Sequence, residues 1–412
     1  MQRIILKKKK DAFVRRFHPW IFSGAVQRKS DDLTDGEVVE VYTKGGEYLA
    51  TGHYQDGSIC VRIFSFEQVE PNADFWLKKL QNAYDYRVQL DLVDNAETNC
   101  YRLVHAEGDG LPGLIIDVYG TAAVVQCHSI GMHGEREHLA AALQQIYGDR
   151  LTTIYDKSRE VLPPNYARGM ENSYLLGESA STIVLENGNR FAINWETGQK
   201  TGFFLDQRDN RELLKRYAKG KSVLNTFCYS GGFSIYGLQA GATEVHSVDV
   251  SQKAMDLVAE NVSLNGGRLV PQPLRETLLS VNQEEQRQTG MSVLHTADVL
   301  KFFKTHEQDH DIVIVDPPAF AKNVSKRHNA VQGYKRLNIS ALKRIKKGGL
   351  LFTFSCSQVV GKDLFYNTIV AAAIEAGRKV RVMHHLTQPA DHPVSLFHVE
   401  GAYLKGLVLQ VE

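Results

Sequence analysis

A chain of 412 residues is too long for a single core and predicts two or three domains. Its apolar fraction of 43% and charged fraction of 23% are those of an ordinary globular protein, and no uninterrupted apolar run is long enough to cross a bilayer. A membrane partner is therefore not expected. The net charge of +1 hides an uneven distribution.

The N-terminus carries basic residues with no long apolar stretch or small-residue cleavage site behind it, which argues against a secretory signal. The five cysteines, at 60, 100, 127, 228 and 356, are odd in number and far apart, with no C-x-x-C pair. That argues against a disulfide framework or a zinc site; no metal is expected, and a reducing, cytoplasmic setting is. Residues 1–29 hold nine Lys or Arg against one acid, Asp11. Phe13, Phe17, Trp20 and Phe22 are interleaved with them, so Arg15, Arg16 and Trp20 are candidate RNA contacts. The plainer reading of Lys7–Lys10 is a solvated edge.

Residues 36–42, 48–52 and 59–64 alternate as short strands around Gly-rich turns, which predicts a compact β-barrel over about the first 70 residues. Phe75, Trp76, Leu77, Leu80 and Tyr84 then fall at helical spacing and predict an amphipathic connecting helix over 74–90. Strands at 114–119 and 122–127, a helix at 134–147 and strands near 152–156 and 182–194 predict a small α+β domain. From about residue 220 apolar strands (222–227, 244–248, 311–315 and 350–354) alternate with helical patterns (251–264, 299–305 and 336–346). This rhythm predicts a doubly wound α/β sheet. The expected division is 1–70, 71–190 and 191–412.

In such a sheet a ligand binds outside the C-terminal strand ends. The first strand runs into a loop holding Phe227, Tyr229, Gly231 and Gly232, where glycine lets the backbone pass close to a ligand. The G-G spacing differs from G-x-G-x-x-G, which disfavours a pyrophosphate site and a nicotinamide oxidoreductase. Asp249 ends the next strand, placed to accept hydrogen bonds from ribose hydroxyls, and Asp298 follows the third, placed to meet an adenine amino group. Asp298 alone would more often cap the helix that follows it. Three strand-end signals in order point to a nucleoside-bearing cofactor.

The fourth strand ends in Asp316-Pro317-Pro318, a stiff presentation of Asp316 that also sets Pro317 against the cofactor. The fifth ends in Ser355-Cys356-Ser357. If these strands are neighbours, a thiol and a carboxylate bracket a flat ring. A buried cysteine is usually a small apolar filler, the reading adopted for Cys60, Cys100 and Cys127. For Cys356 the position favours catalysis. A thiolate adding to C6 of cytosine makes C5 nucleophilic enough to accept a methyl group, with Asp316 on the N3/N4 edge. The base must be flipped out to reach such a pocket. Residues 317–362 hold ten Lys or Arg and no Asp or Glu. Lys322, Lys326, Arg327, Lys335 and Arg336 are candidate phosphate contacts, and Phe320 and Tyr334 candidate stacking surfaces, though Tyr334 equally fits a core.

Several long segments resemble one family. His18-Pro19-Trp20-Ile21-Phe22-Ser23-Gly24 is similar to the opening of a PUA domain, and residues 101–113 (YRLVHAEGDGLPG) to a middle domain. Residues 200–211 (KTGFFLDQRDNR) resemble a lead-in to the catalytic domain, and 391–394 and 403–406 fit as well. Together they resemble the ribosomal RNA large-subunit methyltransferase I family, cytosine-C5 enzymes with an N-terminal PUA domain. The resemblance implies PUA, small α+β and Rossmann-like class I methyltransferase domains, and S-adenosylmethionine as cofactor. It further implies 23S ribosomal RNA as partner, Phe204 and Gln207 bordering the cofactor, and Cys356 as nucleophile. Ala319 departs from the family, where a larger or polar residue is common. A homodimer is a further expectation. The rival readings are methylation of a guanine nitrogen, which needs no thiol, and a non-catalytic RNA-binding assembly factor.

Overall fold

The computed structural model describes residues 2–269, 290–321 and 323–412. The chain forms two compact units. The first comprises Met1–Leu185, Ile193–Leu205 and Ala390–Gly401, and the second Glu186–Ala192, Asp206–Pro389 and Ala402–Glu412. Among the described residues no helix is long and apolar enough to cross a membrane.

The first unit opens with strands β1 (Gln2–Leu6), β2 (Trp20–Phe22), β3 (Val26–Lys29), β4 (Val38–Tyr42), β5 (Tyr48–Tyr54) and β6 (Ile59–Ser65). They form one mixed sheet in the order β2-β6-β5-β4-β1-β3, closed over Ile4, Leu6, Ile21, Val41, Val61 and Ile63. Gly52 is required where β5 crosses β6, because a Cβ there would lie 2.4 Å from the Arg62 carbonyl oxygen. Helix α1 (Ala73–Gln89) starts at Asn72, whose side chain accepts from Phe75 N, and buries Trp76, Leu80 and Ala83 at helical spacing. A second sheet, β11-β10-β9-β8-β7, follows, built from β7 (Cys100–His105), β8 (Leu114–Tyr119), β9 (Ala122–Cys127), β10 (Thr153–Asp156) and β11 (Ser173–Leu176). Helices α2 (Ile130–Gly134) and α3 (Arg136–Tyr147) lie between β9 and β10, and α3 sends Leu139 and Leu143 into the same core as Trp76.

Arg87 at the end of α1 is fully buried, with Asp109 accepting two of its hydrogen bonds at 2.5 and 2.9 Å and the Asp391 carbonyl a third at 2.7 Å. Asp391 also accepts from Arg102 N at 3.0 Å. Residues 390–401, late in the chain, are thereby fixed into the first unit.

The hairpin β12 (Ser181–Glu186) and β13 (Asn189–Asn194) precedes the second unit's helices α4 (Arg208–Ala218), α5 (Gly232–Gln239), α6 (Gln252–Leu264), α7 (Val299–Thr305), α8 (Arg327–Leu342) and α9 (Lys362–Glu375). Its strands are β14 (Ser222–Thr226), β15 (Glu244–Asp249), β16 (Arg268–Leu269), β17 (Met291–Thr296), β18 (His310–Val315), β19 (Ile345–Ser355), β20 (Val380–Leu386) and β21 (Lys405–Val411). The sheet order is β16-β17-β15-β14-β18-β19-β21-β20, with β21 antiparallel to both neighbours and the other described pairings parallel. The order reverses direction at β14, so the C-terminal ends of β14 and β18 flank a switch point.

The helix expected over 336–346 runs instead over Arg327–Leu342. Its first turn, Arg327, His328 and Asn329, is wholly exposed and carries no apolar period to read. Residues 345 and 346, expected in that helix, already belong to β19.

Candidate functional site

The loop after β14 is unusually constrained. Phe227, Tyr229 and Gly231 have φ of 56°, 45° and 76°, a left-handed conformation that costs a non-glycine residue about 1–2 kcal/mol. Four interactions hold it there. Cys228 N donates to Val248 O, Gly231 N to Cys228 O, Tyr229 N to Asp249 Oδ2 at 3.2 Å, and Asn261 Nδ2 to Ser230 O. The glycines meet protein at close range: a Cβ on Gly231 would lie 3.0 Å from Val258 Cγ1, and one on Gly232 2.9 Å from Arg211 Cδ. Their immediate requirement is thus packing under the loop, where the sequence pointed to a ligand.

Asp249, half-buried at the end of β15, uses one oxygen for Tyr229 N and the other for Ser251 N at 3.0 Å. Each oxygen keeps a lone pair for a further donor. Asp298 is exposed and caps α7, accepting from Lys301 N at 2.9 Å, which is the plainer of its two readings.

The ends of β18 and β19 carry the ionisable groups. Val315 pairs with Thr353 in the parallel register, so Asp316 and Ser355-Cys356 leave neighbouring strands, about 4.8 Å apart, on one edge of the sheet. Asp316 Oδ2 accepts from Gln207 Nε2 at 2.9 Å, and Gln207 Oε1 accepts from Asn210 Nδ2 at 2.7 Å. Gln207, expected beside the cofactor, thus holds Asp316. Pro317 is buried beside it. Burial first, and then the Asp206 carboxylate, push the Asp316 carboxyl up to about 7, against the Gln207 hydrogen bond.

Burial likewise pushes the Cys356 thiol up to about 11, with Asp316 and Asp206 adding to it. Lys405 lies opposite Ser355 in the β19–β21 register and donates to Ser357 O at 2.7 Å. Burial draws its ammonium down to about 8, opposed by Cys356. The cluster is therefore poorly solvated: Asp316 and Cys356 keep their protons to higher pH than surface groups do, and Lys405 releases its proton at lower pH.

Sequence reasoning passed over three of these groups. Asp206 accepts from Tyr403 OH at 2.7 Å through Oδ2, while its Oδ1 is buried without a hydrogen-bond partner. Tyr403 lies just before β21 and Lys405 opens it, the strand entering the sheet antiparallel beside β19. Both appear in the sequence only as part of a family-like string; no spacing marked them as neighbours of Cys356. A buried carboxylate oxygen with no partner, close enough to Asp316 for its charge to raise that carboxyl, suits a cationic or hydrogen-donating ligand.

The remaining expected residues are dispersed. Tyr334 corrects the sequence reading: it is fully buried in the second unit's core, its ring 4.8 Å from Phe320, and its apolar surroundings exclude it as a surface contact. Phe320 itself is 37% exposed. Lys326, Arg327 and Arg336 are exposed, whereas Lys335 is paired with Glu375 at 2.5 Å. Lys322 lies outside the described residues. In the first unit, Arg16 is exposed, and Arg15 is engaged with Asp11 at 2.6 Å and with Glu47. Trp20 donates from Nε1 to Glu107 at 2.8 Å and packs on His398 at 4.3 Å, so it is a half-buried anchor. Phe204 belongs to the first unit, whereas the other residues expected at the cofactor belong to the second. That unit has a cleft of about 580 Å³ lined by Phe17, Phe66, Phe75, Phe397, Lys78 and Lys79.

Residues 4–66 match a PUA-like domain family, and residues 102–408 match the S-adenosylmethionine-dependent methyltransferases. The chain is 36% identical over 413 residues to the ribosomal RNA large subunit methyltransferase I of Erwinia tasmaniensis, covering 99% of each. It is also 36% identical over 416 residues to the protein of that name from Escherichia coli, again covering 99% of each. Among solved structures, a protein from Streptococcus mutans assigned as a SAM-dependent methyltransferase superposes with a TM-score of 0.80 at 22% identity over 100% of both chains. A second structure assigned as a methyltransferase, complexed with SAH, gives 0.79 at 23% identity over 100% of both chains. These two show the same fold. With a family match over most of its length and full-length relatives at this identity, the chain belongs to the ribosomal RNA large subunit methyltransferase I family, S-adenosylmethionine-dependent enzymes with a PUA-like N-terminal domain.

Proposed function

We propose that this enzyme methylates carbon 5 of a cytosine in 23S ribosomal RNA through a covalent adduct with Cys356. The observation that carries this reading is the thiol of Cys356 and the protonatable carboxyl of Asp316 on the ends of adjacent strands. A guanine-nitrogen methyltransferase has no use for the thiol. When bound, S-adenosylmethionine supplies an electrophilic methyl group; Asp249, Asp298, Pro317 and the loop Phe227–Gly232 are the residues assigned to hold it, with Gln207.

In this reading Asp316, protonated, donates to cytosine N3 while its other oxygen accepts from the N4 amino group. The Cys356 thiolate adds to C6, the N3 proton comes from Asp316, and the electron pair of the C5=C6 bond becomes available at C5. After methylation the C5 proton leaves to a base, the C6–S bond breaks with return of the electron pair to sulfur, and N3 gives its proton back to Asp316. Lys405 is the cation that favours the thiolate, and Gln207 positions Asp316. Lys326, Arg327 and Arg336, with Arg15 and Arg16, are the proposed phosphate contacts. The proposed domain division is 1–70, 71–190 and 191–412, and the proposed setting is the cytoplasm.

The test is incubation with methyl-labelled S-adenosylmethionine and ribosomal RNA from cells lacking this protein, followed by digestion to nucleosides. Label in 5-methylcytidine supports the reading. Label in a methylated guanosine overturns the role of Cys356.

A further inference from the structure

Away from the strand ends discussed so far, the second unit gathers four histidines from four places in the sequence. His246 lies on β15, His295 on β17, His310 opens β18, and His306 follows α7. His246 Nδ1 is 3.0 Å from His295 Nε2, and His306 Nε2 is 2.9 Å from His310 Nε2. The rings of His246 and His310 have centroids 4.9 Å apart, those of His246 and His306 5.4 Å. One ligand nitrogen from each of His246, His306 and His310 lies within 4.8 Å of the other two. His246 and His310 are buried, and His310 Nδ1 has no hydrogen-bond partner. Glu244 adds a carboxylate at the rim, its Oε2 3.4 Å from His246 Nε2.

Histidines packed for shape alone do not need their nitrogens to converge. Two Nε2 atoms facing each other share one hydrogen, so one of the two lone pairs is always masked. A divalent cation that displaces that hydrogen lets both donate. Tetrahedral zinc, with Zn–N of about 2.0–2.1 Å, sets ligand nitrogens roughly 3.4 Å apart, inside the span found here. Neutral imidazoles in this number select a borderline transition ion over magnesium or calcium. The half-buried His306 gives the ion access from solvent and leaves a fourth position for water.

We propose that His246, His306 and His310 bind one zinc-class transition-metal ion, with His295 orienting His246 through its second ring nitrogen. His310 starts the strand that ends next to Asp316, and a strand of that length sets the two sites about 20 Å apart. The metal fastens β15, β18 and the connection after α7 to one another, clamping the sheet on both sides of β14.

The experiment is titration of chelator-treated full-length protein with Co2+, read by its visible ligand-field absorption, and with Zn2+, read by calorimetry and by thermal midpoint. One saturable equivalent with tetrahedral-type cobalt bands and a raised midpoint is expected. His306→Gln, at the half-exposed position, is expected to fold normally, to keep metal-free methyl transfer, and to weaken binding at least tenfold. His310→Gln is expected to do the same, and His295→Gln to weaken binding about 10- to 100-fold, as loss of an orienting partner does. Absence of a saturable equivalent overturns the proposal. So does wild-type affinity in both His306→Gln and His310→Gln, which would put the ion on other histidines.

Discussion

At the residue scale, the two raised pKa values have a kinetic consequence. With a thiol at about 11 and a carboxyl at about 7, the active microstate of the proposed mechanism, protonated Asp316 with Cys356 thiolate, is a small fraction at every pH. Below pH 7 Asp316 is already protonated, so this fraction rises tenfold per unit with thiolate. From about 7 the loss of protonated Asp316 cancels the gain in thiolate and the fraction is flat, until Lys405 sheds the charge that favours the thiolate at about 8 and the fraction falls. A plot of kcat/KM, which reports the free enzyme, is therefore expected to climb to a plateau beginning near pH 7. In Asp316→Asn the bend near 7 disappears, and a much slower reaction keeps rising with pH. A bend that survives this substitution would assign it elsewhere. Cys356→Ala is expected to remove methyl transfer by a factor of about 10³ or more while leaving calorimetric S-adenosylmethionine affinity within about twofold, as befits a nucleophile used only in the chemical step.

At the element scale, the loop after β14 is held less by its own residues than by what lies beneath it. Arg211 on α4, which meets Gly232, forms a buried pair with Glu186, at 2.8 and 2.7 Å, and Tyr236 OH donates to the same carboxylate at 2.9 Å. Glu186→Ala removes this carboxylate from beside the buried Arg211, which costs about 3–5 kcal/mol and is expected to lower the denaturation midpoint by several degrees or more. Gly231→Ala combines a left-handed φ of 76° with contact against Val258, for an expected loss of about 1–2 kcal/mol. Differential scanning calorimetry checks both.

The same elements show what was legible in the chain. Strands β14, β15, β18 and the apolar part of β19 announce themselves as apolar runs, and Asp316 and Cys356 stand at their ends. Helix α8 begins ahead of its apolar pattern because its first turn is polar, and β20 carries no clear apolar run, since most of it is solvent-exposed. Asp206, Lys405 and the histidine group depend on strands meeting side by side, a pairing no local pattern encodes. Tyr334 was ambiguous because an aromatic at helical spacing suits a core as well as a stacking surface.

At the scale of the whole molecule, a net charge of +1 coexists with RNA as substrate because the charge is local. The folded chain sharpens this further by neutralising some of its cations. Lys335 is tied to Glu375, and Arg15 to Asp11 and Glu47, whereas Lys326 and Arg327 stand exposed. A cation already paired in the free protein releases little counterion when a phosphate arrives, so only exposed, unshared cations steepen the salt dependence of binding. Measured as log affinity against log salt, the wild-type slope is expected to be strongly negative. Lys326→Ala and Arg327→Ala together are expected to make it shallower by about 1.4, at about 0.7 per lost contact to single-stranded RNA. Lys335→Ala, which frees Glu375 as it removes a cation, is expected to weaken binding with a much smaller change in slope. Equal slopes for all three proteins would move the phosphate contacts off α8 and its approach, leaving the first unit's basic stretch to carry RNA affinity.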